Sequence, residues 1–145
     1  MSRIINRDSA GKQRATLVKG IALALRELSR QRSTGTEARD LAAFIALALR
    51  EIAAGIDPSV AAWEKRGYWV KADRFRMEWA WSAPIAAKLQ TALSADNWGA
   101  IAELAAQTAG KLSNVQISEH HRLGKPWVGA FERLMSEGLE KPASG

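Results

Sequence analysis

The stretch TEARDLAAFIALALREIAAG, residues 36–55, decides the fold of this chain. It is rich in Ala and Leu, and its apolar residues recur at the helical period, so it predicts an α-helix that Thr36 caps and that runs to about Ala54. Gly55 follows as a C-terminal stop. The apolar residues spread beyond one face: Leu41, Ile45, Leu49, Ile52, Phe44 and Leu47. This helix should therefore be more deeply buried than the one before it.

The preceding helix is predicted to begin near Ser9, a good N-cap residue, and to run to about Arg32. Its apolar face holds Leu17, Val18, Ile21, Leu25 and Leu28. The sequence IALALRE occurs at 21–27 and again at 45–51, with the core-facing positions in register. A duplicated helix would explain this echo, but an antiparallel hairpin drawn from one Ala/Leu-rich vocabulary is the simpler interpretation. There is no third copy, which a solenoid would need.

The helical period continues along the chain, and no run alternates between apolar and polar residues as a strand would. Residues 1–145 are therefore predicted to form one all-α domain, a bundle of five to six helices. The basic arm 1–8 and the tail 140–145 are expected to be flexible.

Prolines mark two of the later helix starts. Asp57 and Pro58 predict a helix with Asp57 as its N-cap. Pro84 either lies in the first turn of a helix that Ser82 caps, or it kinks a longer helix.

The C-terminal third of the chain is predicted to hold two further helices. Asp96 would cap a helix that ends at Lys111, and residues 113–125 have the composition of a loop. Pro126 would then start a last helix that stops near Gly138.

The composition excludes several classes of site. The chain contains no Cys, which excludes disulfides, thiolate metal sites and a Cys nucleophile. The opening MSRIINRDSAGKQR is polar and lacks the apolar region of a secretory signal. Even the longest uncharged runs, such as 41–49, are far shorter than the roughly 20 residues of a membrane span. A cytoplasmic location is therefore expected.

Positive charge is concentrated at one end of the chain. The net charge is +6, and residues 1–39 carry nine basic and three acidic side chains, while the remainder is balanced. Such asymmetry favours a polyanionic partner more than a uniformly basic chain would.

Four basic residues of the first helix share one predicted face, the basic stripe: Lys12, Lys19, Arg26 and Arg30. Leu23 interrupts the stripe. Cations in such an array neutralise several phosphates together, and Arg3 and Arg7 on the arm would reach a groove or a further phosphate. A solvated helix face is the plainer alternative.

The segment WEKRGYWVKADRFRMEWAW, residues 63–81, holds most of the aromatic residues of the chain. Taken as one helix, it carries two apolar stripes, and its candidate interface residues are Tyr68, Trp69, Phe75 and Trp79. Packing in the core is the favoured interpretation, ahead of a helical partner and of base stacking. Arg74 and Glu78 have the spacing of a surface ion pair.

The loop before the last helix is basic and contains both histidines of the chain. Its candidate anion-binding residues are His120, His121, Arg122 and Lys125, next to a predicted helix N-terminus. A solvated connector is the simpler alternative. Two histidines without a second cluster argue against a metal site, and the sequence has no Gly-x-Ser-x-Gly, P-loop or His-Glu-x-x-His motif.

These patterns predict a non-catalytic nucleic-acid-binding protein with little base specificity and no cofactor. The alternative is a helical protein–protein interaction or scaffold protein, including a homo-oligomer, that uses the aromatic face. Weak membrane-surface association ranks third and an enzyme last. The sequence leaves open whether the partner is DNA or RNA, and whether three of the helices form a helix-turn-helix.

Overall fold

The computed structural model describes residues 7–140, with side-chain surroundings for residues 10–137. This range contains α-helices and no strand, so the predicted all-α bundle is confirmed. Most of the arm 1–8 and of the tail 140–145 lies outside it. The helices within it are α1 (Arg7–Ser29), α2 (Thr36–Ala54), α3 (Ile56–Lys65), α4 (Trp69–Trp79), α5 (Ser82–Ser94), α6 (Trp98–Lys111) and α7 (Ala130–Glu140).

The central element is α2, which packs against α1, α5 and α7. Its bounds agree with the prediction to within one residue, since Gly35 rather than Thr36 occupies the N-cap position. Leu41, Ile45 and Leu49 are completely buried. Because three helices surround it, α2 buries a larger share of its residues than α1 does, as expected. The core of the bundle therefore forms around this one helix.

The contact between Gly20 and Phe44 fixes how closely α1 and α2 pack. A methyl group at Gly20 would lie 3.0 Å from the Phe44 ring, which is tighter than ordinary van der Waals contact. The two residues lie nearly equally far from the connection at 30–35, which is the pairing expected of an antiparallel hairpin. A short connection between two long helices gives the same arrangement.

The turn between α5 and α6 stops one helix and caps the next. Asp96 lies in the left-handed region at φ 55°, and the N–H of Asn97 donates to the Ala92 carbonyl at 2.8 Å, as in a Schellman motif. The Asn97 side chain then accepts from the N–H of Ala100. Asn97 is thus the N-cap predicted at Asp96, whose carboxylate instead accepts from the Trp98 indole at 2.9 Å.

The helices that contain Pro84 and Pro58 both begin without a side-chain N-cap. Pro84 lies in the first turn of α5, but the Ser82 hydroxyl donates to the Trp79 carbonyl at 2.7 Å and caps nothing. Helix α3 already begins at Ile56, one residue before Asp57, and no side chain caps it. Gly55 takes a helical conformation at φ −87°, so α2 leads almost directly into α3.

The last helix begins later than predicted, and a side chain from α2 caps it. Residues 126–129 form a turn that ends at Gly129 in the left-handed region at φ 81°, so helical geometry starts only at Ala130. The Asp40 carboxylate accepts from the N–H groups of Gly129 at 3.0 Å and Phe131 at 2.9 Å. It supplies the partners that the first turn of a helix lacks.

Replacing Asp40 with alanine should lower the free energy of unfolding by about 1–2 kcal/mol, because two N–H groups at the start of α7 lose their acceptor. Chemical denaturation measures the change. Asp57→Ala is the matched control, because Asp57 is exposed and makes no capping hydrogen bond; it should cost no more than about 0.5 kcal/mol. Equal losses in the two variants would show that the long-range cap contributes nothing.

Candidate functional site

Within the basic stripe of α1, only the N-terminal half has no acidic partner among the described residues. Lys12 and Lys19 are exposed. The Arg26 guanidinium donates to the Ile117 carbonyl at 3.0 Å, and its side chain is only 22% exposed. Arg30 lies 3.4 Å from a carboxylate oxygen of Glu27. The prediction of one solvent-facing stripe is therefore wrong for Arg26.

The loop 113–125 contacts Arg26 and Arg30, the second half of the stripe. Val115 and Ile117 of this loop pack partly buried against the core. Glu119 places a carboxylate oxygen 3.8 Å from Arg26 and 3.5 Å from Arg30. Leu23, which interrupts the stripe, is completely buried. Part of the positive charge of α1 is thus compensated within the chain.

The free half of the stripe borders a groove of about 450 Å³ between α1, the end of α4 and the end of α6. Among the described side chains that line it, the charged ones are the cations Arg14, Lys19 and Lys111 and the carboxylate Glu78. We call this surface the basic groove. Lys19 was expected to bind phosphate from its place in the stripe, whereas Arg14 and Lys111 were missed. Both lie on helices, but neither shares the face that defined the stripe.

A cation–π contact positions Arg14 between two helices. Its guanidinium carbon lies 4.6 Å from the centre of the Phe75 ring, so α1 is held against α4 at the mouth of the groove. Contacts of this kind stabilise by about 0.5–2 kcal/mol, depending on burial. Arg14 and Lys19 both line the basic groove. Arg14 forms no ion pair with an acid among the described residues.

The aromatic segment forms two helices rather than one. Gly67 lies in the left-handed region at φ 82°, and the N–H of Tyr68 donates to the Trp63 carbonyl at 2.9 Å. These bonds form a Schellman motif that ends α3, and α4 begins at Trp69. A side chain at position 67 would be strained in this conformation, which is why glycine occupies it.

Burial divides the four candidate interface residues into two pairs. Phe75 is 6% exposed and Trp79 is 8% exposed, and Phe75 packs edge-to-face on Trp63 at 4.9 Å. These two side chains belong to the core, so they offer no surface to a partner. Tyr68 is 50% exposed and Trp69 is 61% exposed.

The exposed pair lies in a shallow hollow with Gly67, Val70, Lys71 and Arg74. We call Tyr68 and Trp69 the aromatic platform. The expected ion pair of Arg74 with Glu78 is absent from the ion pairs of the described residues. Both Lys71 and Arg74 are exposed. Lys71 and Arg74 therefore lie beside the platform and form no ion pair with an acid among the described residues.

Local hydrogen bonds hold the histidine loop in place. His121 accepts from the N–H of Leu123 through Nδ1 at 3.1 Å, and the N–H of His120 donates to the Ser118 hydroxyl. Arg122 and Lys125 are exposed, and so is Glu119 of the same loop. Because that carboxylate lies next to His120 in the chain, it offsets part of the positive charge of the candidate anion site.

The described residues contain neither a metal-binding cluster nor a membrane-spanning helix. Nowhere between residues 7 and 140 do three His, Asp or Glu side chains gather as a metal site would require. No helix in that range is both long enough and apolar enough to cross a bilayer. Compared with known proteins, the chain matches no protein-family model, no curated protein and no solved structure at a significant level.

Proposed function

We propose that this protein binds nucleic acid without catalysing a reaction, contacting phosphates through α1 and the basic arm with little base specificity. The observation that carries the proposal is the basic groove. Its described lining holds three cations from two helices, Arg14, Lys19 and Lys111, and one carboxylate, Glu78. Lys12 lies two turns before Lys19 on α1 and is also exposed.

The physical basis is the release of counterions from the phosphate backbone. Each Lys or Arg that neutralises a phosphate frees a condensed ion, and the gain grows with the number of contacts. A groove gathers cations that are distant in sequence, so one stretch of backbone meets several of them. Cations that already have an acidic neighbour, such as Arg26 and Arg30, contribute less.

Little base specificity is expected because phosphate contacts carry no sequence information. Of the described side chains that line the basic groove, three are cations, one is a carboxylate, and one, Asn114, is an amide. Amides and bidentate arginines are the usual readers of base edges. The groove is thus better suited to contact the phosphate backbone than to recognise base edges.

The basic arm extends this proposal beyond the described side chains. Arg3 lies outside the described residues, and of Arg7 only the backbone is described, at the start of α1. Gly11, one turn further along, lines the basic groove. The described start of α1 is therefore about one turn from the groove, and we expect Arg3 and Arg7 to contact an adjacent phosphate.

The test is a double charge reversal in the basic groove. Lys19→Glu with Lys111→Glu should weaken binding to a labelled DNA duplex by more than about 10-fold, because two phosphate contacts become repulsive. Fluorescence anisotropy at low salt measures the affinity, and circular dichroism checks folding.

The matched control is Lys88→Glu with Arg133→Glu, two exposed residues outside the groove that change the net charge equally. It should weaken binding by less than about 3-fold, through the long-range field alone. Equal effects of the two double variants would show that the total charge matters and the groove does not.

A second candidate function is a helical interaction protein, including a homo-oligomer. The observation that favours it is the exposure of Tyr68, Trp69, Val70 and Met77 on one short helix and its leading turn. Large apolar side chains in solvent are typical of protein interfaces. Light scattering of the wild type and of a Trp69→Ala variant separates this function from the first: an oligomer that dissociates in the variant would support it.

A further inference from the structure

We propose that the aromatic platform, Tyr68 and Trp69, stacks the bases of single-stranded nucleic acid while neighbouring cations hold its backbone. This inference rests on the proposed function, and it assigns the strand class and a second contact site. Nonspecific binders of single strands combine the same two elements, a basic groove and aromatic faces on which successive bases stack.

The platform side chains, Tyr68 and Trp69, are not part of the hydrophobic core. Trp63, Phe75 and Trp79 already supply the aromatic packing of α3 and α4, whereas Trp69 remains 61% exposed. The Gly67 turn fixes the backbone just before the platform through two hydrogen bonds of 2.9 Å. The aromatic residues are therefore held by a defined turn and kept in solvent.

The charges around the platform favour a polyanion. Lys65, Arg66, Lys71 and Arg74 are all exposed, and none of them pairs with an acid among the described residues. Two of the nearby acids are occupied, since Arg76 lies 3.6 Å from Glu64 and 3.1 Å from Asp73. Lys71 Nζ lies 5.1 Å from the centre of the Trp63 ring.

One helix connects the platform to the basic groove. Helix α4 begins at Trp69 in the platform and ends at Trp79, which lines the groove. The two ends are about 15 Å apart at the helical rise. Arg14 contacts Phe75 between them. A flexible strand that stacks on the platform would thus find cations along α4 towards the groove.

A protein partner fits these charges less well than a single strand does. Interfaces between proteins are enriched in Tyr, Trp and Arg but depleted in Lys. Lys65 and Lys71 stand beside the platform, and no carboxylate lines its hollow. The π faces and the unpaired cations together match the bases and phosphates of a strand.

The test compares Trp69→Ala with wild type on two ligands, using the full chain. The probes are a labelled oligothymidylate strand about 20 nucleotides long, which exceeds the site size of such grooves, and a mixed-sequence duplex. We expect the variant to bind the strand about 5- to 100-fold more weakly and the duplex less than about 2-fold more weakly, because duplex bases already stack on one another.

Two further variants separate stacking from a general loss of surface. Met77→Ala removes a side chain that is 77% exposed on the same helix but outside the hollow, and it should bind both ligands as wild type does. Trp69→Phe keeps an aromatic face and should retain most of the strand affinity.

Each failure has a distinct signature. Strand binding that is lost on reversing Lys19 and Lys111 but unchanged in Trp69→Ala would overturn the platform and leave the proposed function intact. A wild type that binds neither ligand at low salt would overturn both. A platform that mediates self-association, abolished in Trp69→Ala with no loss of strand affinity, would show that it binds protein.

Discussion

Replacing Ile45 with alanine should lower the free energy of unfolding by about 2–5 kcal/mol. The side chain is completely buried at the middle of α2. Truncation loses the transfer free energy of the removed methyl and methylene groups and leaves a cavity. Three helices surround α2, so the cavity cannot close by the movement of one neighbour. This loss would consume a large part of the stability of an ordinary domain.

Urea denaturation measures this effect, and Val70→Ala provides the control. Val70 is 68% exposed on α4, so its truncation should change the free energy by less than about 0.5 kcal/mol. The slope of the transition should stay the same in both variants, since the unfolded surface is similar. A loss below about 1 kcal/mol for Ile45→Ala would contradict the central position of α2.

Local patterns in the sequence predicted the helices that their own residues determine. The bounds of α2 follow from an uninterrupted apolar period and a glycine at its end, and both signals are local. Treating residues 63–81 as one helix groups the buried Phe75 and Trp79 with the exposed Tyr68 and Trp69. Gly67 was the available signal of a break, since a glycine inside a helical pattern often marks a C-cap.

The contacts that reshape the candidate site join residues far apart in the chain. Arg26 bonds to Ile117 and Asp40 caps α7, each across about 90 positions. No periodicity reveals such pairs, because they depend on how the loop 113–125 and α7 return to the bundle. The same limit applies to Lys111, which reaches the basic groove only through the packing of α6 beside α1.

Salt should weaken binding steeply if the basic groove contacts phosphates. Four described cations are available there and beside it: Lys12, Arg14, Lys19 and Lys111. About four neutralised phosphates give a slope near −3.6 for the logarithm of the duplex affinity against the logarithm of salt. The affinity should therefore fall about 100-fold between roughly 50 and 200 mM salt. Contacts by the arm would steepen the slope further.

The most direct measurement is therefore the affinity of the full chain for a labelled duplex across a salt titration, by fluorescence anisotropy. The proposed function predicts binding at about 50 mM salt and a slope of about −3.6 or steeper, which becomes shallower by about 2 when Lys19 and Lys111 are replaced with alanine. No binding at about 50 mM salt, or a slope shallower than about −1, would contradict it.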